Sequence, residues 1–121
     1  MAKKVLAVDD SKTMRDMVSF TLKGAGYDVI EAHDGKHALS VIGSQKVNLI
    51  ITDVNMPNMD GITLVKEMRK HPVHRSTPIL VLTTEGDASK KNEGRAAGAT
   101  GWIVKPFEPT KLLQVVQKVC I

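Results

Sequence analysis

The sequence predicts an α/β fold, a doubly wound five-stranded parallel sheet with five helices on its two faces. Two observations predict it. Short runs rich in Val, Ile and Leu alternate with longer amphipathic stretches, and the short runs are apolar throughout, as suits strands buried on both faces. Each of the four clearest runs also stops at a polar residue, which gathers chemistry at one edge of the sheet.

The first run, Val5-Leu6-Ala7-Val8, is stopped by Asp9-Asp10. Ser11 then caps a helix whose face carries Met14, Met17, Val18 and Leu22, with Gly24 and Gly26 ending it. Tyr27 to Glu31 is a weaker strand. After an Asp34-Gly35 turn, Lys36 to Ile42 is helical with Ala38, Leu39 and Ile42 on one side. Val47 to Thr52 forms the next strand, stopped by Asp53, and Ile62, Val65 and Met68 mark a helix closed by Pro72. Ile79-Leu80-Val81-Leu82 is stopped by Thr83-Thr84. Ala88 to Ala97 is the weakest helix, because Gly94 costs about 1 kcal/mol against Ala and few large apolar residues support it. Trp102-Ile103-Val104 is stopped by Lys105-Pro106. The last helix has Pro109 in its first turn, Phe107 placed to staple onto Leu112, and Leu113, Val116 and Val119 on its buried side.

At 121 residues the chain is the size of one domain, and residues 1–121 are expected to form just one, with no attached output module. No stretch without a charged residue exceeds nine positions, far short of the roughly 20 apolar residues of a membrane-spanning helix. Only four apolar residues separate Lys4 from Asp9, so no secretory signal is expected. The lone cysteine, Cys120, has no internal partner and reads as a reduced thiol at a frayed C-terminal end. The formal charge of +4 raises the question of nucleic acid. Lys and Arg are spread along the chain, however, and two Phe, one Tyr and one Trp offer few rings for base stacking, so the reading is a solvated basic surface with no nucleic-acid partner.

Ligands of an open parallel sheet bind outside the carboxyl ends of its strands. There the predicted strands place Asp9, Asp10, Asp53, Thr83 and Lys105. Three carboxylates converging on one crevice repel one another unless a cation is present, and hard oxygen donors suit Mg²⁺. A lysine across the crevice adds a point charge able to hold an anionic oxygen. Taken singly, these residues have ordinary structural roles as caps, surface lysines and loop hydroxyls; together they define a site.

Asp9-Asp10, the segment from Asp53 to Gly61 (Asp-Val-Asn-Met-Pro-Asn-Met-Asp-Gly), Thr83 and Lys105-Pro106-Phe107 resemble the signature of bacterial response-regulator receiver domains. The spacing agrees over essentially the whole chain: 43 positions from Asp10 to Asp53, 30 on to Thr83 and 22 on to Lys105. The chain is most similar to the single-domain chemotaxis members of that family. The flavodoxin-like strand order 2-1-3-4-5 comes with this resemblance and is not read from periodicity.

The resemblance implies that Asp53 is the phosphoacceptor, taking a phosphoryl group from a histidine kinase. It implies Mg²⁺ held directly by Asp10 and Asp53 and by the backbone carbonyl of Asn55, with Asp9 acting largely through water. Lys105 and Thr83 would bind phosphoryl oxygens, and a cis Lys105-Pro106 peptide would aim the lysine inward. Trp102 stands where the family commonly has a switching tyrosine, and its indole lacks the phenol hydroxyl. Asn55 and Glu85 would tune phosphoryl lifetime. Lys90, Lys91, Trp102 and Lys111 would form a partly basic target surface on the fourth helix, fifth strand and fifth helix. In the intervening loop Met56 and Met59 would pack, Pro57 and Gly61 would shape the turn, and Asp60 would cap a helix.

The implied protein is a cytoplasmic monomer that catalyses only its own phosphorylation and dephosphorylation. Its partners would be a histidine kinase, a flagellar motor-switch or other protein target, and a phosphatase. A phosphorelay intermediate or phosphate sink shares this chemistry. An aspartate-nucleophile phosphohydrolase is the rival of another class, but that chemistry places its acid two residues beyond the nucleophile, where this chain has Lys12 or Asn55. Flavin binding fits poorly, since the acidic loop after the first strand would repel a phosphate.

Overall fold

In the computed structural model, which describes residues 3–84, 88–105 and 107–120, five strands and five helices alternate strictly. They are β1 (Lys4–Val8), α1 (Lys12–Gly24), β2 (Asp28–Ala32), α2 (Gly35–Ile42), β3 (Leu49–Asp53), α3 (Gly61–Lys70), β4 (Ile79–Thr84), α4 (Ala88–Ala97), β5 (Gly101–Lys105) and α5 (Pro109–Val119). All strand pairs are parallel and the sheet order is β2-β1-β3-β4-β5. Strand order reverses between β1 and β3, which places Asp9 and Asp53 on either side of the crevice there.

Alternation of side chains across the strands divides the core into two layers. Leu6, Val8, Ile50, Ile79 and Val81 face α2 and α3, where Ala38, Ile42, Val65 and Met68 are buried, and Ala97 of α4 packs on the same side. Val5, Ala7, Leu49, Ile51, Leu80 and Leu82 face α1 and α5 through Val18, Leu22, Leu112 and Val116. Each fully buried Leu or Val on these faces contributes roughly 1.5–3 kcal/mol relative to exposure.

Local chemistry explains the element ends. Ser11, Asp34 and Asp60 each cap a helix, accepting from the backbone N–H groups of Met14, His37 and Thr63 respectively. Pro109 lies in the first turn of α5, and Phe107 shares the buried cluster of Leu112 as the staple requires. Several sequence expectations need correction. Met17 is 45% exposed, because the inward stripe of α1 runs through Met14, Val18 and Leu22 and leaves Met17 on its flank. Asp34-Gly35 is the start of α2 itself and not a separate turn. Cys120 is not frayed: it is buried against the α1–α5 layer, and its carbonyl accepts from Lys3 Nζ at 2.9 Å. Gly94 is buried on the inner side of α4, where a Cβ would make an ordinary contact 3.4 Å from Ile62 Cδ1, so the packing of α4 on α3 does not itself require glycine.

Candidate functional site

The carboxyl ends of β1, β3, β4 and β5 bring the expected residues together. Asp9 follows β1 and is 2% exposed; Asp10 beside it is exposed; Asp53 ends β3 and is buried. Oxygens of Asp9, Asp10 and Asp53 lie within 4.8 Å of one another. Lys105, the last residue of β5, places Nζ 3.2 Å from Asp9 Oδ2 and 3.1 Å from Asp53 Oδ1. One ammonium among three carboxylates leaves a net charge near −2 in a half-buried crevice. A divalent cation with a preference for oxygen would balance that charge, so the residues fit the Mg²⁺ that the sequence implies.

Backbone contacts fix the two buried acids. Asp9 Oδ1 accepts from the Ser11 N–H at 2.9 Å, and Asp53 Oδ1 accepts from the Val54 N–H at 2.8 Å. Burial pushes the Asp53 carboxyl above its ordinary pKa; the Lys105 ammonium works against that rise and the Asp9 carboxylate adds to it. Thr83, near the end of β4, is 2% exposed, and its Oγ1 has no hydrogen-bond partner among the described residues. A buried hydroxyl without a partner is costly unless a ligand completes it.

The loop from Val54 to Asp60 turns back tightly on Asp53. A Cβ at Gly61 would lie 1.9 Å from the Asp53 carbonyl oxygen, so only glycine permits this approach, and the Gly61 N–H donates to Val54 O at 2.8 Å. Met56 and Met59 pack against the core as expected, Asp60 caps α3, and Asn55 is exposed at the loop's start.

Trp102 is half-buried on β5. The Arg95 guanidinium lies 4.8 Å from its ring centroid and Lys91 Nζ 5.5 Å, so two α4 cations rest on the indole face. Thr83 and Trp102 are among the walls of a narrow crevice between β4, β5 and α4. Lys90 lies 3.4 Å from Glu93 and Lys111 3.7 Å from Glu108, one turn along the same helix in each case, so each cation is offset locally. Glu85 and the Lys105-Pro106 peptide lie outside the described residues.

Sequence reading missed three supports of the site. Arg15 donates to the Asp9 carbonyl at 2.7 Å and lies 3.6 Å from Glu31, bracing the loop after β1. Arg95 reaches Trp102 from a helix with little amphipathic signal. Asp34, on the loop after β2, bonds to Asn58 on the loop after β3. Only strand order brings those two loops together, so no local sequence signal marked the pair.

A parallel sheet in this order, with an acidic cluster, a lysine and a buried hydroxyl at its carboxyl edge, defines a class of protein. The family model described as the response regulator receiver domain matches residues 5–117, and the chain belongs to that family. Within the family it is similar to the CheY chemotaxis proteins. It is 40% identical over 118 residues to the chemotaxis protein CheY homolog of Campylobacter jejuni, covering 96% of this chain and 91% of that protein. The solved structure of Vibrio cholerae chemotaxis protein CheY4 is 52% identical with a TM-score of 0.93, covering 98% of this chain and 99% of the other. The receiver domain of a Pseudomonas aeruginosa sensor histidine kinase is 25% identical with a TM-score of 0.91 over 99% of this chain and 98% of the other, and its structure has a magnesium ion coordinated in the active-site cleft. No helix among the described residues is long and apolar enough to cross a membrane.

Proposed function

We propose that the chain is a phosphorylation-driven chemotaxis switch in which Asp53 accepts a phosphoryl group from a histidine kinase. The observation that carries this reading is the pairing of Asp53 Oδ1 with Lys105 Nζ at 3.1 Å beside the unpartnered Thr83 hydroxyl. A nucleophilic carboxylate, a cation and a free donor thus converge from three adjacent strands.

In the proposed step an Asp53 carboxylate oxygen attacks phosphorus in line, forming a P–O bond as the P–N bond to the kinase histidine breaks. The imidazole leaves with the electron pair. Such transfers go through a loose transition state, so positioning and charge neutralisation supply most of the catalysis. Lys105 turns from its two carboxylates to a phosphoryl oxygen, and Thr83 donates to another. Asp10, Asp53, Asp9 through water and the Asn55 carbonyl would hold Mg²⁺, as the magnesium in the Pseudomonas relative's cleft supports. When bound, that ion neutralises charge on the phosphoryl oxygens. Asn55 and Glu85 would govern access of the water that later hydrolyses the acyl phosphate. The chain therefore acts catalytically only on itself, with a phosphatase as a further partner.

Completion of the Thr83 hydroxyl shifts the population toward a state in which Trp102 packs closer to β4, altering the face formed by α4, β5 and α5. That face, with Lys90, Lys91, Trp102 and Lys111, would receive a motor-switch protein as target, a reading the likeness to CheY proteins favours over a phosphate sink.

Beryllium fluoride, a phosphoryl mimic, tests the reading. It should change Trp102 fluorescence only with Mg²⁺ present, raise affinity for a flagellar motor-switch protein by at least about tenfold, roughly 1.4 kcal/mol, and do neither in Asp53→Ala. An equal response in that variant would remove Asp53 from the role.

A further inference from the structure

The loop that follows Asp53 is held from the loop after β2, which lies on the far side of β1. Asn58 has φ 67°, a left-handed conformation unusual for a residue other than glycine and tolerated best by Asn and Asp. Its Nδ2 donates to Asp34 Oδ2 at 2.8 Å. Asp34 is only 3% exposed, and its other oxygen, Oδ1, accepts the His37 N–H at 2.8 Å as the cap of α2. The two oxygens of one carboxylate thus tie the start of α2 to the loop between β3 and α3.

A second contact lies beside the first. The Gly35 N–H donates to Met59 O at 3.2 Å, and a Cβ at Gly35 would come within 2.7 Å of Met59 Cγ. Met59 N–H in turn donates to Pro57 O at 2.7 Å. The loop is therefore pinned at its far end, by Gly61 against Asp53, and at its apex, by Asp34 and Gly35 against Asn58 and Met59. Asn55 lies between Asp53 and that apex, so its backbone carbonyl has little freedom to move while both pins hold. Two donors hold the carboxylate of Asp34 in its ionised form, with a pKa below the ordinary range caused first by the His37 N–H and then by Asn58, against the opposing effect of burial; His33 Nδ1 also lies 3.3 Å from Oδ2.

We propose that Asp34 is a positioning residue for the acceptor site, acting through Asn58 to hold the Asn55 carbonyl and Asp53 in register for phosphoryl transfer. The proposal rests on the functional reading above and goes beyond it, because Asp34 touches none of the reacting atoms.

Two substitutions break the contact with opposite changes of charge. Asn58→Asp keeps a residue that accepts the left-handed backbone but sets a carboxylate against a carboxylate. Asp34→Ser keeps a capping oxygen for α2 but removes the second acceptor. Combining Asn58→Asp with Asp34→Asn restores the bond with its polarity reversed, since Asn also caps well and its amide donates to the new carboxylate. The rate constant for Asp53 phosphorylation by saturating acetyl phosphate and Mg²⁺, measured at a temperature where every variant is folded by circular dichroism, is the readout. Both single variants should fall by about tenfold and the double variant should recover to within about twofold of the parent.

A merely structural contact would lower melting temperature and leave the rate constant of folded molecules unchanged. Equal rates in folded single variants, or no recovery in the double variant, would overturn the proposal while a phosphorylated parent upheld the functional reading. A parent that takes up no phosphoryl group would overturn both.

Discussion

A methyl group at Gly61 would sit 1.9 Å from the carbonyl oxygen of Asp53, well inside any permitted contact. The two residues are therefore coupled through backbone alone, and the turn that carries the loop away from β3 closes directly on Asp53. Gly61→Ala should cost about 3 kcal/mol of stability, at the upper end for overpacking because the opposing atom is backbone and cannot rotate away. Urea denaturation of the two proteins measures it; an unchanged midpoint would mean that the loop relaxes freely.

Asp53 is held above its ordinary pKa by burial, with Lys105 lowering it in part. The folded chain therefore binds that proton more tightly than the unfolded chain. Stability falls as pH rises from the unfolded to the folded pKa, and the loss persists at neutral pH. Asp53→Asn should accordingly melt higher than the parent at pH 7 without Mg²⁺. The advantage should shrink as pH is lowered through the acid range. Melting curves across pH 3 to 8 would show it, and a variant less stable at pH 7 would contradict the assignment of burial as the dominant cause.

The cluster of Asp9, Asp10 and Asp53 carries more negative charge than Lys105 can offset. A cation that binds only the folded chain adds stability by mass action, about 1.4 kcal/mol at ten times its dissociation constant. Mg²⁺ should raise the melting temperature of the parent and do so much less for Asp10→Asn. Calorimetry with and without the metal decides between them.

Arg69 supports the far end of the sheet. Its Nε donates to Gly98 O at 2.9 Å, and Nη1 donates to Thr77 O at 2.7 Å and His74 O at 3.1 Å. Arg69→Ala would leave these carbonyls without their donor and should cost about 3 kcal/mol. Arg69→Lys should recover less than half of that, because a single ammonium cannot span the fork. Chemical denaturation of both variants provides the check.

Much of this molecule was legible in its sequence because buried parallel strands write themselves as apolar runs. All five runs fall on strands, although β3 starts at Leu49 and β2 at Asp28 where the runs start at Val47 and Tyr27, and the acids Asp9, Asp10 and Asp53 meet as expected. What remained hidden depends on relations between strands. Met17 appeared to share the buried face of α1, yet a stripe needs only part of the helix circumference, and Phe20 beside it is 83% exposed. Nothing local told that Gly94 of α4 is buried facing Ile62 of α3. Asp34 read as a turn residue because Asn58, its partner, is 24 positions away. By contrast, the ion pairs of Lys90 with Glu93 and of Lys111 with Glu108 are local, three positions apart, and Lys91 and Arg95 beside Trp102 add further positive charge to the same face.

The proposed switch requires that Asp53 become covalently phosphorylated. Intact mass after incubation with acetyl phosphate, with and without Mg²⁺, beside Asp53→Asn, tests it most directly. A gain of one phosphoryl group that requires the metal and is lost in the variant is expected. No gain under any condition, or an equal gain in Asp53→Asn, would contradict it.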